Sequence, residues 1–280
     1  MNAGASASFR GLARVDSVSL ANRGLNYGDG LFETMRVHRG GLPLWPRHLA
    51  RLKEGAKRLG IAVPEAAFIE ARIADLVGDA DAGVLKLLLT RGDGGRGYAP
   101  PADAPPVWTL ALHPLPPMPA SLRLHACDTR LAIQPALAGI KHCNRLEQVL
   151  ARAEVERAGC DEGLVRDTDG RPVCATSANL LVHRDGRWLT PPVARCGVAG
   201  VLRGWLLGQG LVETAELSMG EVESADALAL CNAVRGILPV STLGARAWPP
   251  HPATTGLQAR LAMAYPMFPG SPPPESVGAA

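Results

Sequence analysis

The stretch LAGIKHCNRLEQVLARAE, residues 137–154, contains the lysine on which the interpretation of this chain rests. Among 29 lysines and arginines, Lys141 is the only lysine in the second half of the chain. A lysine amine forms a Schiff base with a carbonyl compound once its pKa is lowered. Lys141 precedes a predicted helix, whose positive dipole end disfavours the ammonium form. Lys141 is therefore a candidate reactive amine, against the alternative of a solvated surface charge.

The helix that follows Lys141 is predicted to span Asn144–Ala158. Asn144 and Glu147 stand three residues apart, which is the spacing of a capping-box variant. Gly159 is the predicted stop, because glycine adopts the left-handed conformation that ends many helices.

The composition is that of a globular protein without a nucleic-acid or membrane partner. Hydrophobic residues make up 47% and charged residues 20% of 280 residues, which supports a sizeable core. A net charge of +3 and 4% aromatic residues argue against a nucleic-acid binder. The N-terminus lacks the apolar region of a secretory signal, and no apolar run has membrane-spanning length.

The six cysteines fall at wide, irregular spacings without a C-x-x-C pair. This pattern argues against a zinc site and against a disulfide framework, so no metal is predicted. It fits reduced thiols in a cytoplasm.

Hydrophobic periodicity predicts a mixed α and β chain. Helices are predicted from Pro46 to Leu59 and from Pro64 to Gly78, and strands at Val84–Thr90 and Val107–His113. Two D-G turns, at Gly170 and Gly186, predict β-hairpins in the second half of the chain.

A proline-rich stretch, HPLPPMPAS at residues 113–121, is predicted to be a linker, since closely spaced prolines exclude both helix and sheet pairing. We therefore predict two domains, residues 1–117 and 118–268. The tail at residues 269–280 is predicted to be disordered.

The loop TRGDGGRGYAPP, residues 90–101, contains the spacing G-x-G-x-x-G directly after a predicted strand. That spacing marks a dinucleotide site only if a helix begins at its third glycine, and the prolines that follow exclude such a helix. A Rossmann site is rejected. The loop is either a surface loop or a binding loop that contributes Arg91, Arg96 and Tyr98.

The surroundings of Lys141 resemble a known family. IKHCNRLEQVLARAE is similar to the Schiff-base lysine segment of 4-amino-4-deoxychorismate lyases. These are fold-type IV pyridoxal-phosphate (PLP) enzymes, as are the branched-chain and D-amino acid aminotransferases. The resemblance runs from about Ser17 to Leu243 through blocks in family order, among them NRGLNYGDGLFETMRV, HLARL, RGDGGRGY, GVAGVLR and CNAVRGILPV. RGDGGRGY resembles the loop of the lyase branch, which favours the binding-loop alternative.

The resemblance implies an α+β fold with a smaller N-terminal α/β domain and a larger C-terminal pseudo-barrel domain. It implies a cytoplasmic homodimer that converts 4-amino-4-deoxychorismate to 4-aminobenzoate and pyruvate in folate biosynthesis. A fold-type IV aminotransferase, acting on D-amino or branched-chain amino acids, is the alternative activity.

The resemblance also implies residue roles. Lys141 would bind PLP as a Schiff base and shuttle protons, and Arg51 would reach the cofactor phosphate. The other cofactor contacts it implies are the backbone N–H groups of Val201 and Leu202, and the loop at Asn232 and Ala233. The substrate contacts it implies are Tyr27 and Tyr98. Arg96 and Arg235 are our candidates for the two substrate carboxylates.

Cys174 departs from the family pattern. It stands where the family has a glutamate that pairs with the pyridine nitrogen of PLP. Loss of that carboxylate makes the cofactor a weaker electron sink, which favours a lyase over a transaminase or else signals a catalytically weakened PLP-binding homologue. Thr176 or Ser177 is the alternative partner of the nitrogen.

Overall fold

The computed structural model describes residues 5–268. The predicted disordered tail, residues 269–280, lies outside the described residues. The described chain forms two compact units. The first contains the residues up to Pro117 together with Leu131–Val149 and Val193–Val201, and the second contains the rest. The predicted boundary near residue 118 places Leu131–Val149 and Val193–Val201 in the C-terminal domain, whereas in the structure these two segments cluster with the first unit.

A five-stranded sheet with helices forms most of the first unit, in the strand order β2-β1-β5-β4-β3. All neighbouring strands in it are antiparallel. Its elements are β1 (Ser6–Arg10), β2 (Ala13–Val15), α1 (Arg23–Tyr27), β3 (Gly30–His38), α2 (Trp45–Leu59), α3 (Ala66–Val77), β4 (Ala82–Thr90) and β5 (Val107–His113). The helices and strands predicted in this part of the sequence are confirmed.

Helix α2 packs closely on strand β3. A Cβ added at Gly55 would lie 2.9 Å from a methyl group of Leu31, so a larger residue there would require the Leu31 side chain to shift. Leu52 and Ala56 are buried on the same side of the helix. Gly60, with φ of 63°, ends the helix in the left-handed conformation. The close packing brings the polar side chains of α2 within reach of those on β3.

The later elements of the chain belong largely to the second unit. They are β6 (Leu122–Leu131), α4 (Leu146–Arg157), β7 (Glu162–Asp167), β8 (Pro172–Ala175), β9 (Asn179–Arg184), β10 (Arg187–Thr190), α5 (Val201–Gly208), β11 (Glu213–Thr214), α6 (Met219–Glu223), β12 (Ala227–Asn232), β13 (Gly236–Leu243), β14 (Arg246–Ala247) and α7 (Pro252–Ala264).

The second sheet closes on itself. Its order runs β11-β10-β9-β12-β13-β6-β7-β8, and β8 pairs again with β9 through Cys174 and Asn179. Strands β9, β12, β13, β6, β7 and β8 therefore form a ring, which leaves these strands no free edge. Leu164, Leu180 and Leu230 are buried within this unit. The expected pseudo-barrel is confirmed.

Both predicted hairpins are present as antiparallel pairs, β7 with β8 and β9 with β10. In the second, Asp185 and Gly186 have φ of 50° and 75°. Two successive positive φ values match the twist of the flanking strands, which is why a D-G pair is favoured there.

The predicted capping box of α4 is wrong. Helix α4 begins at Leu146, and Glu147 accepts a hydrogen bond from the backbone N–H of Ala132 at 2.8 Å. Asn144 donates its side-chain amide to the carbonyl of Gly28 at 3.1 Å. Both side chains bind other segments, so partners distant in sequence replaced the local cap.

No disulfide bond joins the cysteines among residues 5–268. Within residues 5–268, no helix has both the length and the apolar composition needed to cross a membrane. The same residues contain no group of three histidine, cysteine or acidic side chains arranged to hold a metal ion.

Candidate active site

The backbone around Lys141 is attached to the edge of the first sheet. The N–H of Phe32 on β3 donates to the carbonyl of Lys141 at 3.0 Å, and the N–H of Cys143 donates to the carbonyl of Gly30 at 2.9 Å. Leu31 and His142 form an antiparallel bridge. The lysine thus lies on a segment that continues the sheet beyond β3, and its main chain is fixed.

The Lys141 side chain lies over an aromatic ring. Its Nζ is 4.2 Å from the centroid of Phe32. Lys86 Nζ and Arg145 Cζ lie 5.7 Å and 6.0 Å from the same centroid. The negative face of the ring attracts cations. Three basic side chains therefore meet at one phenylalanine.

This environment lowers the pKa of Lys141 to about 7 from an ordinary 10.5. Burial is the largest cause, followed by the positive charges of Arg51 and Arg145, while Glu33 opposes the shift. An amine with this pKa is about half neutral at pH 7, against roughly one molecule in 3,000 for an ordinary lysine. Lys141 therefore has the free amine that nucleophilic and general-base chemistry require.

A buried carboxylate organises the α2 side of the site. Glu33 on β3 is only 1% exposed. Its Oε2 lies 2.6 Å from His48 Nδ1, and its Oε1 accepts from Arg51 Nε at 2.8 Å. A second nitrogen of Arg51 pairs with Oε2, which makes the contact bidentate. His48 and Arg51 are three residues apart on α2, so both face the same strand.

The protonation states of this cluster follow from burial and charge. Burial alone would raise the pKa of Glu33, but Arg51 and His48 hold it below its ordinary value. Burial lowers the pKa of His48 below its ordinary value. The Glu33 carboxylate opposes this shift, and the charges of Arg51 and Lys141 add to it. His48 is therefore neutral at pH 7, and its Nδ1–H donates to the Glu33 carboxylate.

Arg51 also contacts the turn that precedes α5. Its Nη1 donates to the carbonyl of Ala199 at 3.1 Å. Helix α5 begins at Val201, and the backbone N–H groups of its first turn have no partner within the helix. N–H groups at the start of a helix attract anions in many proteins. The assignment of Arg51, Val201 and Leu202 to a phosphate stays a prediction.

Of the substrate residues predicted in the first unit, Tyr27 and Tyr98 are in contact with each other. The rings of Tyr27 and Tyr98 meet edge to face with centroids 5.5 Å apart. Arg23 fixes this loop by donating to the carbonyls of Gly97, Tyr98 and Ala99. Tyr98 and Arg96 are exposed to solvent. By contrast, Arg91 pairs with Asp29 and supports the loop from within the unit.

Cys174 lies in the second unit, on β8, where it is buried and pairs with Val165 of β7. Glu162, also buried, accepts hydrogen bonds from the hydroxyls of Thr176 and Ser177, the latter at 2.5 Å. Both hydroxyl hydrogens are therefore used in bonds to Glu162. Neither Thr176 nor Ser177 can donate a hydrogen bond to a pyridine nitrogen while its hydroxyl binds this carboxylate.

The other predicted residues of the second unit lie at the end of β12. The Asn232 side chain accepts from the backbone N–H groups of Val234 and Arg235 at 3.0 Å and 2.8 Å, which forms a tight turn. Ala233 is buried within this turn, and Arg235 is partly exposed.

Sequence reasoning missed Glu33 and Glu162. A signal was present for Glu33. It occupies the same buried face of β3 as Leu31, Met35 and Val37, at every second position of the strand. A charged residue at a core-facing strand position indicates a buried partner. No comparable signal marks Glu162, whose partners come from a turn after the next strand.

Comparison with known proteins gives the family. The sequence model described as amino-transferase class IV matches residues 30–243, which is more than half of the chain. The chain belongs to the class IV aminotransferase family.

Two lyases are among the similar members of this family. The aminodeoxychorismate lyase of Vibrio harveyi is 34% identical over 239 residues, covering 81% of this chain and 88% of that protein. The solved 4-amino-4-deoxychorismate lyase of Pseudomonas aeruginosa is 45% identical, with a TM-score of 0.85 over 91% of this chain and 98% of that one. The resemblance inferred from the Lys141 segment is confirmed.

A PLP-bound hypothetical aminotransferase from Mycobacterium tuberculosis has a TM-score of 0.79 at 18% identity, covering 92% of this chain and 98% of that one. At that identity the likeness shows the class IV fold alone.

Replacing Glu33 with Gln should destabilise the protein by about 3 kcal/mol, because breaking one side of a buried ion pair leaves Arg51 uncompensated. Thermal unfolding should show a Tm lowered by roughly 6–12 °C. The folded-state pKa of Glu33 lies below its ordinary value of 4.5. Its contribution to the free energy of unfolding is therefore complete above pH 4.5. The contribution is lost as the pH falls through the folded-state pKa.

The matched control is Glu54→Gln, which removes an exposed carboxylate from the same helix α2. Its effect should stay within about 0.5 kcal/mol. Equal Tm values for the two variants would show that the Glu33 cluster does not hold α2 on the sheet.

Proposed function

We propose that this chain is a PLP-dependent lyase that converts 4-amino-4-deoxychorismate to 4-aminobenzoate and pyruvate, a step of folate biosynthesis. The observation that carries the proposal is the Lys141 amine, which lies over Phe32 with a pKa of about 7 at the position of the family's Schiff-base lysine. The relatives from Vibrio harveyi and Pseudomonas aeruginosa, both named as this lyase, support the substrate.

The chemistry of Lys141, Arg51 and the start of α5 fits PLP. Schiff-base formation with the aldehyde of PLP requires a neutral amine, which Lys141 supplies. A phosphate requires oriented donors and positive charge, for which we propose Arg51 and the backbone N–H groups at Val201 and Leu202. When bound, PLP supplies the electron-withdrawing group that acidifies the carbon bearing the substrate amine.

In the second unit we propose Asn232, Ala233 and Cys174 as further cofactor contacts, by resemblance to the family. The Asn232 side chain fixes this turn by accepting from the backbone N–H groups of Val234 and Arg235. Cys174 occupies the place of a carboxylate. Its buried thiol is a weak hydrogen-bonding group, so it does not hold a proton on a ring nitrogen as a glutamate does.

The chain's own part in the reaction is proton transfer. Lys141, freed in its neutral form, accepts the proton from the ring carbon that bears the amine. The bond from the ring to the enolpyruvyl oxygen breaks, and the ring becomes aromatic. Protonated Lys141 then returns a proton to the departing enolpyruvate, which becomes pyruvate, so one lysine serves as base and then as acid.

Substrate recognition requires groups for two carboxylates and a ring. We propose Arg96 and Arg235 for the carboxylates and the paired rings of Tyr27 and Tyr98 for the substrate side. Exposure of Arg96 and Tyr98 suits groups that first meet the substrate from solvent.

Replacing Lys141 with Ala should abolish release of 4-aminobenzoate, with a loss of at least ~10³-fold, since nucleophile, base and acid are removed together. The measurement is fluorescence of the aromatic product after incubation with PLP and substrate. Lys57→Ala removes an exposed lysine of α2 and should keep the full rate.

The same assay separates the lyase from the aminotransferase alternative. The wild type should release 4-aminobenzoate faster than D-alanine or leucine converts its cofactor to the amine form. The reverse order of rates would identify an aminotransferase, and failure of both reactions would identify a weakened PLP-binding homologue.

We also propose that the protein is a cytoplasmic homodimer. Three apolar side chains, Leu146, Val149 and Leu150, lie on one face of α4 and are 58–67% exposed. An exposed apolar stripe of this kind marks an interaction surface. Light scattering should give the mass of two chains, and Val149→Glu should shift it toward one chain. A wild type with the mass of one chain contradicts the proposal.

A further inference from the structure

Arg145 binds the main chain on both sides of Lys141. Its Nε donates to the carbonyl of His142 at 2.9 Å, and its Nη2 donates to the carbonyl of Ile140 at 3.2 Å. The carbonyl of Lys141 itself accepts from the N–H of Phe32. Three successive carbonyls are therefore occupied, which restricts the peptide units that carry the lysine.

Arg58 makes the same kind of contact in the preceding part of this segment. Its guanidinium donates to the carbonyls of Pro135, Ala136 and Ala138, at distances of 2.7–2.9 Å. Both arginines donate to backbone carbonyls of the segment that contains Lys141. Arg58 binds carbonyls three to six residues before Lys141, whereas Arg145 binds the carbonyls of the two residues next to Lys141.

The position of Arg145 also gives it an electrostatic effect. The charged groups that act on the Lys141 amine are Arg51 from α2, Glu33 from β3, Lys86 from β4 and Arg145. Glu33 is already bonded to Arg51, which weakens its attraction for the lysine. His142 is neutral at pH 7, since burial and the charge of Arg145 lower its pKa to about 4.

We propose that Arg145 is a positioning residue for Lys141, which holds the backbone on both sides of the lysine and keeps a positive charge beside its amine. The inference rests on the proposed function only in treating Lys141 as the reactive lysine. The guanidinium has two separable roles. Its paired N–H groups fix the direction of the side chain, and its charge favours the neutral amine.

The two roles are separated by two substitutions. Arg145→Gln retains hydrogen-bond donors and removes the charge. Arg145→Lys retains the charge, but its single nitrogen cannot reproduce the two bonds made by Nε and Nη2. Arg58→Gln is the matched control, since it loses a charge and carbonyl contacts in the same segment away from the two neighbours of Lys141.

The experiment uses the full chain without cofactor or substrate. Formaldehyde and cyanoborohydride methylate neutral amines, and mass spectrometry of the peptide that carries residue 141 gives the rate at each pH. The result is therefore independent of whether the protein is a lyase. Circular dichroism confirms that each variant is folded.

Arg145→Gln should move the half-maximal pH of methylation upward by about 1 unit, as expected for removing one nearby charge in a partly screened site. Arg58→Gln should leave that pH unchanged. Arg145→Lys should keep the wild-type midpoint and change the plateau rate, because the amine is neutral but less well directed.

Equal midpoints for wild type and Arg145→Gln would overturn the electrostatic role, as would equal shifts in Arg145→Gln and Arg58→Gln. A wild-type plateau in Arg145→Lys would overturn the positioning role. If Arg145→Gln does not fold, the outcome for Arg145→Lys still decides the positioning role.

Discussion

The ion pair between Glu33 and Arg51 is the interaction on which the first unit's site depends. It joins β3 to α2, where Gly55 of the helix packs directly against the Leu31 side chain of the strand. It directs the remaining donors of Arg51 toward the carbonyl of Ala199 before α5. It also engages the Glu33 carboxylate, whose negative charge favours the ammonium form of Lys141. The packing of α2 on β3 and the electrostatic environment of the Lys141 amine thus depend on the same pair.

This arrangement has an electrostatic cost. Arg51, Lys86, Arg145 and Lys141 are all basic, and like charges at short range repel. Backbone hydrogen bonds hold the Lys141 segment in place against this repulsion. The N–H of Phe32 on β3 donates to the carbonyl of Lys141, the N–H of Cys143 donates to the carbonyl of Gly30, and Arg145 donates to the carbonyls of Ile140 and His142. A neutral Lys141 relieves part of the repulsion. An anionic ligand would relieve more, so the same charges that lower the lysine pKa also favour a phosphate or carboxylate.

The sequence predicted elements whose signals are local. Local signals are sufficient to predict these elements from the sequence. They are the apolar spacing of α2 and α3, the alternation of β4 and β5, and the D-G turns of both hairpins. The capping box failed because Glu147 and Asn144 bind Ala132 and Gly28, which the sequence cannot place beside them. Glu33 shows a middle case, where strand alternation indicates a buried charge without naming its partners. Glu162 required the structure, since its contacts with Thr176 and Ser177 depend on strand register.

The groups around Lys141 together set the reactivity of its amine. The chain has three other lysines that serve as internal controls. The most direct measurement is to add PLP to the full chain at pH 7, reduce with borohydride, and map the labelled lysine by mass spectrometry. We expect the label on Lys141, with the exposed Lys53, Lys57 and Lys86 essentially unlabelled at equimolar cofactor. A label spread over those three lysines, with none concentrated on Lys141, would contradict this expectation.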